Sequence, residues 1–342
     1  MNIADLRSHL LVGQVIPAHP LALTAERRLD ERRQRALTRY YLASGAGGVA
    51  VGVHTTQFAV RAHGFLPAVL ALAADVVRAE ASTPCALIAG AVGDTRQAVA
   101  EATLAREIGY DAVLLSLGAM RDATDEALIT HCRAVGEVLP LFGFYLQPAV
   151  GGRVLSERFW RELATLESLV AIKIAPFNRY RTLDVVRAVA DAGRDDVALY
   201  TGNDDNILLD LLTPVPTSRG PRRLVGGLLG QWAVGTSAAV RMLREIRAMG
   251  DAPVADAAWL GRAAALTEAN AAIFDAAHDF TGCIAGIHEV LRRQGLLAGT
   301  WCLDPGERLS PGQAAAIARV CAAYPELIDD RFVAEGVGDW MR

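Results

Sequence analysis

A single lysine, Lys173, stands against 33 arginines in the 342-residue chain. An Ala- and Arg-rich composition of the kind a GC-rich coding sequence produces explains why lysines are scarce. It does not explain where the survivor sits, inside the apolar run Val170-Ala171-Ile172-Lys173-Ile174. A solvated face accepts arginine, whereas chemistry that needs a primary amine does not. Burial strips solvation from the charged form and lowers a lysine pKa from about 10.4 toward the neutral range. The free amine can then attack a ketone and form a Schiff base. A buried ion pair, or a strand-end lysine snorkelling to water, is the alternative reading of the same residue.

Two more groups could share that chemistry. Tyr145 ends the run Leu141-Phe142-Gly143-Phe144-Tyr145, and strand alternation puts Leu141, Gly143 and Tyr145 on one face. With that face inward, Gly143 leaves room and the Tyr145 hydroxyl opens into the same mouth as Lys173, where a phenol can relay protons. A strand-end tyrosine used for packing is the alternative. His54-Thr55-Thr56-Gln57 closes an earlier apolar run, and its hydroxyls and turn N–H groups could hold a carboxylate. His54 there could serve as an acid or base, or simply be hydrogen-bonded structure.

The elements that must position these residues are visible as short Val/Ile/Leu-rich runs. They begin at Ala50, Pro84, Ala112, Leu141, Val170, Val197 and Leu224, 27 to 34 residues apart, and Leu11 to Ile16 supplies one more. Strand–helix alternation at this period implies βα units and a parallel sheet. Eight units fit a closed (β/α)8 TIM barrel, typically about 250 residues. The even spacing, and the lack of a Gly-x-Gly-x-x-Gly after the first run, favour it over an open doubly wound sheet. Helices are expected from Thr24, from Thr95 to a stop at Gly109, and from Ser156. Residues 214–223 read as a surface loop. The expected organisation is a barrel over residues 1–250 and a helical extension over 251–342, packed on it as one structural unit, with helices at 256–278, 283–295 and 311–323. In the 170 run, Val170, Ile172 and Ile174 suit the helix layer, which turns Ala171 and Lys173 inward near the strand's C-terminal end, where barrel active sites form.

Together these motifs resemble the dihydrodipicolinate synthase/N-acetylneuraminate lyase superfamily of class I aldolases, lyases and dehydratases, from roughly residue 10 to 330. The residues that carry the resemblance are Thr55-Thr56, Ile88-Ala89-Gly90, Asp111 to Leu114, Tyr145-Leu146-Gln147-Pro148, Ile172-Lys173 and Thr201-Gly202-Asn203-Asp204, with Lys173 28 positions after Tyr145. The resemblance implies that Lys173 is the Schiff-base lysine and Tyr145 the proton-transfer residue. It also implies that Thr55 and Thr56 bind a 2-oxo acid carboxylate and couple to Tyr145. Thr56 thus joins the expected catalytic set, and Thr55, His54, Gln57, Gly202 and Gly227 the substrate-binding set. There are departures. The threonine loop has lost both glycines and the glutamate of the family pattern. Val150 stands where synthases carry a substrate-binding arginine, with Arg153 three residues on. Leu117-Gly118-Ala119-Met120 replaces a tyrosine pair. These departures point to a divergent subgroup with a different second substrate, not a true dihydrodipicolinate synthase.

The remaining composition narrows the function classes. The formal net charge is −4 with no basic stripe, which argues against nucleic acid. Five scattered cysteines without a CxxC pair suit a reducing compartment. Residues 40–60 are uncharged but too polar and glycine-rich for a bilayer helix, and the N-terminus lacks the apolar core of a signal peptide. No His/Glu spacing suggests a metal. The expected protein is therefore cytoplasmic, off the membrane and without metal or cofactor. The resemblance implies a homodimer or homotetramer acting on pyruvate or another 2-oxo acid, with an aldehyde where a carbon–carbon bond is made or split. A non-catalytic or regulatory small-molecule-binding barrel is the alternative. Arg61 and His63 read as solvated loop, with reach to an anionic substrate as the alternative, Gln231-Trp232 as a wall of the pocket, and His278 and His288 as structural.

Overall fold

The computed structural model describes residues 1–250 and 256–342. Helix α1 (Ile3–Leu11) precedes strand β1 (Val15–Pro17). The order continues α2 (Glu31–Ala43), β2 (Gly48–Val51), α3 (Leu66–Glu80), β3 (Ala86–Ala91), α4 (Thr95–Ile108), β4 (Ala112–Leu115), α5 (Asp125–Gly136), β5 (Leu141–Tyr145), α6 (Glu157–Ala164), β6 (Leu169–Ile174), α7 (Arg179–Asp191), β7 (Ala198–Thr201), α8 (Ile207–Leu212), β8 (Gly226–Leu229) and α9 (Thr236–Ala248). This is the (β/α)8 barrel, and α10 (Ala258–Ile273), α11 (Cys283–Arg293), α12 (Gln313–Ala323) and α13 (Asp330–Trp340) form the C-terminal helical extension. The expected boundary after residue 250 adjoins residues 251–255, which lie outside the described residues. Among the described residues, no helix is long and apolar enough to cross a membrane.

Most element starts follow from local chemistry. Asp94 caps α4 through Gln97 N, and Gly109 ends it in the left-handed region at φ 95°. Ser156 caps α6 through Phe159 N. Two expectations are corrected. Leu11 belongs to α1, whose first turn is capped by the Asn2 side chain on Asp5 N, so the first strand begins at Val15. The helix expected from Thr24 starts only at Glu31, behind the Asp30 cap. Thr24 to Arg28 instead close a tight turn, with Thr24 N donating to Arg28 O and Arg27 at φ 56°.

The chain divides into two compact units, residues 1–14 with 86–228, and residues 15–85 with 229–342. In the first, strands β3 to β8 pair in sequence order, all parallel. Residues side by side in a parallel ladder share a face, because alternation runs in step along both strands. Phe144, Lys173 and Tyr200 therefore lie on one face, and Gly143, Ile172 and Leu199 on the other. The second of these is the helix side: a Cβ added to Gly143 would lie 3.3 Å from Ile172 and 3.4 Å from Leu163 of α6. On the opposite face, Phe142 and Tyr200 meet edge to face at 5.3 Å. The Tyr200 hydroxyl donates to Leu10 O (2.8 Å) and accepts from Gln14 N (3.0 Å), fastening the end of α1.

In the second unit β1 and β2 run parallel through the Ala18–Ala50 bridge. The extension is tied in by one buried carboxylate. Asp329 accepts from Tyr40 Oη of α2 (2.7 Å) and from Ser237 N (2.6 Å) and Ala238 N (2.9 Å), so it caps the start of α9 from a distant part of the chain.

Candidate active site

Lys173 is the penultimate residue of β6 and is 9% exposed. Its outward neighbours Val170, Ile172 and Ile174 are fully buried, and the amine stands on the face away from the helices, as the sequence pattern requires. Nζ lies 4.6 Å from the centroid of the Phe144 ring. Gly202 follows β7 and donates from its N to Ile174 O at 2.7 Å, which draws its backbone against the lysine stem. A Cβ at 202 would lie 2.6 Å from Lys173 Cε and 2.7 Å from Ala175 Cβ. No other residue fits there without moving the amine.

A buried hydrogen-bond network holds these strand ends. The Asp210 carboxylate accepts from Thr201 Oγ1 (2.6 Å), Asn203 Nδ2 (2.8 Å) and Asn206 Nδ2 (3.0 Å), and pairs with Arg179. Asn203 Oδ1 in turn accepts from Phe177 N at 3.0 Å, joining the loop after β6 to the loop after β7. Neither Asp210 nor the full role of Asn203 could be read from the sequence. An Asp seven residues after an Asn in a helical stretch carries no signal until the turn is folded.

The expected place of Tyr145 is overturned. Tyr145 is the register partner of Ile174, not of Lys173, and so lies on the helix side. Its hydroxyl is held by Leu155, accepting from N at 3.3 Å and donating to O at 3.4 Å, and its ring packs on Trp160 of α6 at 5.1 Å. Burial raises its pKa, partly offset by the Leu155 backbone hydrogen bond. The cause is one residue. Leu141 pairs with Leu169, an offset of 28 that would put Tyr145 beside Lys173; the ladder then slips at Leu141/Phe142, and Phe142 pairs with Ala171. Beyond the slip, Phe144 stands beside Lys173 and Gly143 turns to the helices instead of opening the interior. Gly227, expected near substrate, is the partner of Thr201 and so lies on that same helix side, with its N donating to Gln14 O at 3.2 Å.

The second unit contributes the threonine turn. His54–Thr56 is a 3-10 turn, and Gln57 follows at φ 66°. Thr56 Oγ1 donates to His19 O at 2.7 Å and accepts from Gly52 N at 2.9 Å, while Thr55 Oγ1 reaches the same carbonyl at 3.4 Å. Each hydroxyl has one proton. An anion could take either only by displacing His19 O, at least cost from the long Thr55 bond. Gln57 Oε1 accepts from Leu303 N at 2.6 Å, and its buried Nε2 has no hydrogen-bond partner. His54 lies 5.8 Å from the Phe58 ring. His19, which the sequence did not single out, organises this turn. Its ring is buried between Thr38 Oγ1 (2.9 Å) and Gln34 Nε2 (3.0 Å), and burial lowers its pKa to about 4.

Other expected contributors are accounted for. Arg153 donates to the carbonyls of Met120 and Ala123, so its guanidinium is spent bracing the loop after β4. Arg61 donates to Gly52 O at 3.1 Å. Gln231 reaches Leu327 O at 3.5 Å, and His278 pairs with Asp275 at 2.6 Å. Among the described residues, no three His, Cys, Asp or Glu side chains gather as a metal site.

The model of the dihydrodipicolinate synthetase family matches residues 12–214, more than half of the chain. The protein belongs to the dihydrodipicolinate synthetase family. Within that family it is 31% identical over 186 residues to the 4-hydroxy-tetrahydrodipicolinate synthase of Anaeromyxobacter dehalogenans, covering 53% of this chain and 59% of the relative. The synthase of Aromatoleum aromaticum is also 31% identical, over 201 residues, 57% of this chain and 63% of that one. The match thus spans about three-fifths of the length of these relatives. Two solved structures share the fold: dihydrodipicolinate synthase from Oceanobacillus iheyensis (TM-score 0.74, 18% identity, 95% of this chain and 99% of that one), and YagE from E. coli K12 in complex with pyruvate (TM-score 0.74, 19%, 92% and 98%).

Proposed function

We propose that this family member is an imine-forming lyase, aldolase or dehydratase that acts on pyruvate or another 2-oxo acid through Lys173. The observation that supports it is the placement of the chain's one lysine. It sits on the face away from the helices at the C-terminal end of β6, almost fully buried, with a glycine kept against its stem. The nitrogen lone pair adds to the ketone carbon, the carbonyl oxygen leaves as water, and the C=N bond becomes the sink for electrons released at the neighbouring carbon. A pyruvate adduct also fits a fold shared with a pyruvate-bound structure.

Condensation with an acidic aldehyde is not part of the proposal. Val150 offers no charge, and Arg153 is engaged by Met120 and Ala123. Losing a charge-assisted contact worth about 1.5–3 kcal/mol reduces binding roughly ten- to a hundredfold. The threonine protons already have an acceptor in His19 O, and Tyr145 is turned away. Both favour the second reading, a binding barrel without turnover. Incubation with pyruvate and borohydride, then mass mapping, decides between them. The expected result is one adduct at Lys173 that is absent in Lys173→Arg. Failure of every 2-oxo acid to give an adduct would leave the binding barrel.

A further inference from the structure

We propose that Phe144, rather than any tyrosine, is the β5 side chain that meets the substrate at Lys173, and that its ring stabilises the positive charge of the protonated imine. The assignment rests on the imine reading given above and deepens it. Phe144 is the register partner of Lys173, on the same face, and its ring centroid is 4.6 Å from Nζ. A carbon bonded to that nitrogen lies only about 1.5 Å from it, as any C–N bond requires. The imine carbon and its first substituents are therefore formed within contact distance of the ring.

An aromatic face attracts a cation, and the protonated imine is a cation. As the neutral amine adds, water leaves and one proton is taken up from solvent, the positive charge develops under the ring, and the ring stabilises the iminium that must accept electrons. Tyr145 cannot take this place, since Leu155 holds its oxygen on the helix side.

Borohydride trapping measures the assignment directly. The reductant delivers hydride to the imine carbon and leaves a stable secondary amine, read as added mass on Lys173. Wild type, Phe144→Leu and Phe144→Tyr are each trapped with pyruvate, with thermal unfolding run to establish that each variant is folded. Phe144→Leu is expected to lower the trapped fraction roughly two- to thirtyfold, the range of a cation–π contact. Phe144→Tyr, which keeps an aromatic face, falls less. Equal trapping in wild type and Phe144→Leu would overturn the role of Phe144 while leaving the imine intact. No adduct in wild type would overturn the imine reading, and this one with it.

Discussion

The end of β6 and the turn after β2 both carry motif residues, but they are held in different ways. Around Lys173 the constraint is steric: a glycine without room for one more carbon on one side and an aromatic ring on the other. Around Thr55 and Thr56 the constraint is hydrogen bonding, two hydroxyls and a backbone N–H converging near His19. Steric confinement fixes where an atom is by volume alone. Hydrogen-bond confinement fixes the group by using the capacity that a ligand would need. The contrast is in what holds each motif: volume beside the lysine stem, and backbone hydrogen bonds around the threonines.

Four experiments would break or sharpen that contrast. The largest effect is expected from Gly202→Ala, whose added carbon must push Lys173 Cε aside. Trapping at Lys173 should fall about a hundredfold, since ångström-scale misplacement costs that much, with about 1–3 kcal/mol lost in denaturant melts from overpacking. Thr56→Val should act on stability instead. It strands Gly52 N and removes the better donor from His19 O, for about 3 kcal/mol in the same melts.

Acid should separate the regions next. His19 and His288, both in the second unit, are held neutral by burial, with pKa values lowered to about 4. The unfolded chain takes up these protons near pH 6.5 and the folded one does not, so stability is full above pH 6.5 and falls as pH drops toward 4. Between pH 7.5 and 5.5 the loss should be roughly 2–3 kcal/mol, and His19→Gln should remove about half of it. A flat profile over that range would show that the two rings are not buried neutral. The smallest effect is expected from Tyr145→Phe. It gives up two long hydrogen bonds to Leu155, about 1 kcal/mol or less, and should leave trapping at Lys173 within about twofold. A large loss of trapping would return Tyr145 to the amine's face.

Much of the fold was legible because its signals are periodic. The Val/Ile/Leu runs fall within a few residues of β2 to β8, and the helix start at Ser156 and the stop at Gly109 are written in residue type. The inward turn of Lys173 was legible too, since Val170, Ile172 and Ile174 left it no other face. What failed was pairing. The 28-residue gap between Tyr145 and Lys173 places them side by side only if the ladder is regular, and alternation within one strand cannot report a slip against the next. His19 was invisible for a related reason: its role is played largely by a carbonyl oxygen, which every residue has. α1 was missed because its cap, Asn2, lies ahead of a segment whose last apolar residues also read as a strand.

The confinement of the only lysine also sets how the whole surface behaves toward electrophiles. Every solvated basic side chain that is cationic at neutral pH is a guanidinium or a protonated histidine, so no lysine on the exterior can be acylated, glycated or joined to another protein by an isopeptide bond. Arginine stays protonated and is a poor nucleophile under the same conditions. Among its side chains, the protein thus presents alkylamine reactivity at one interior point, and an amine-directed probe small enough to reach it reports on that point with no background from surface lysines, leaving the chain's α-amine as the control.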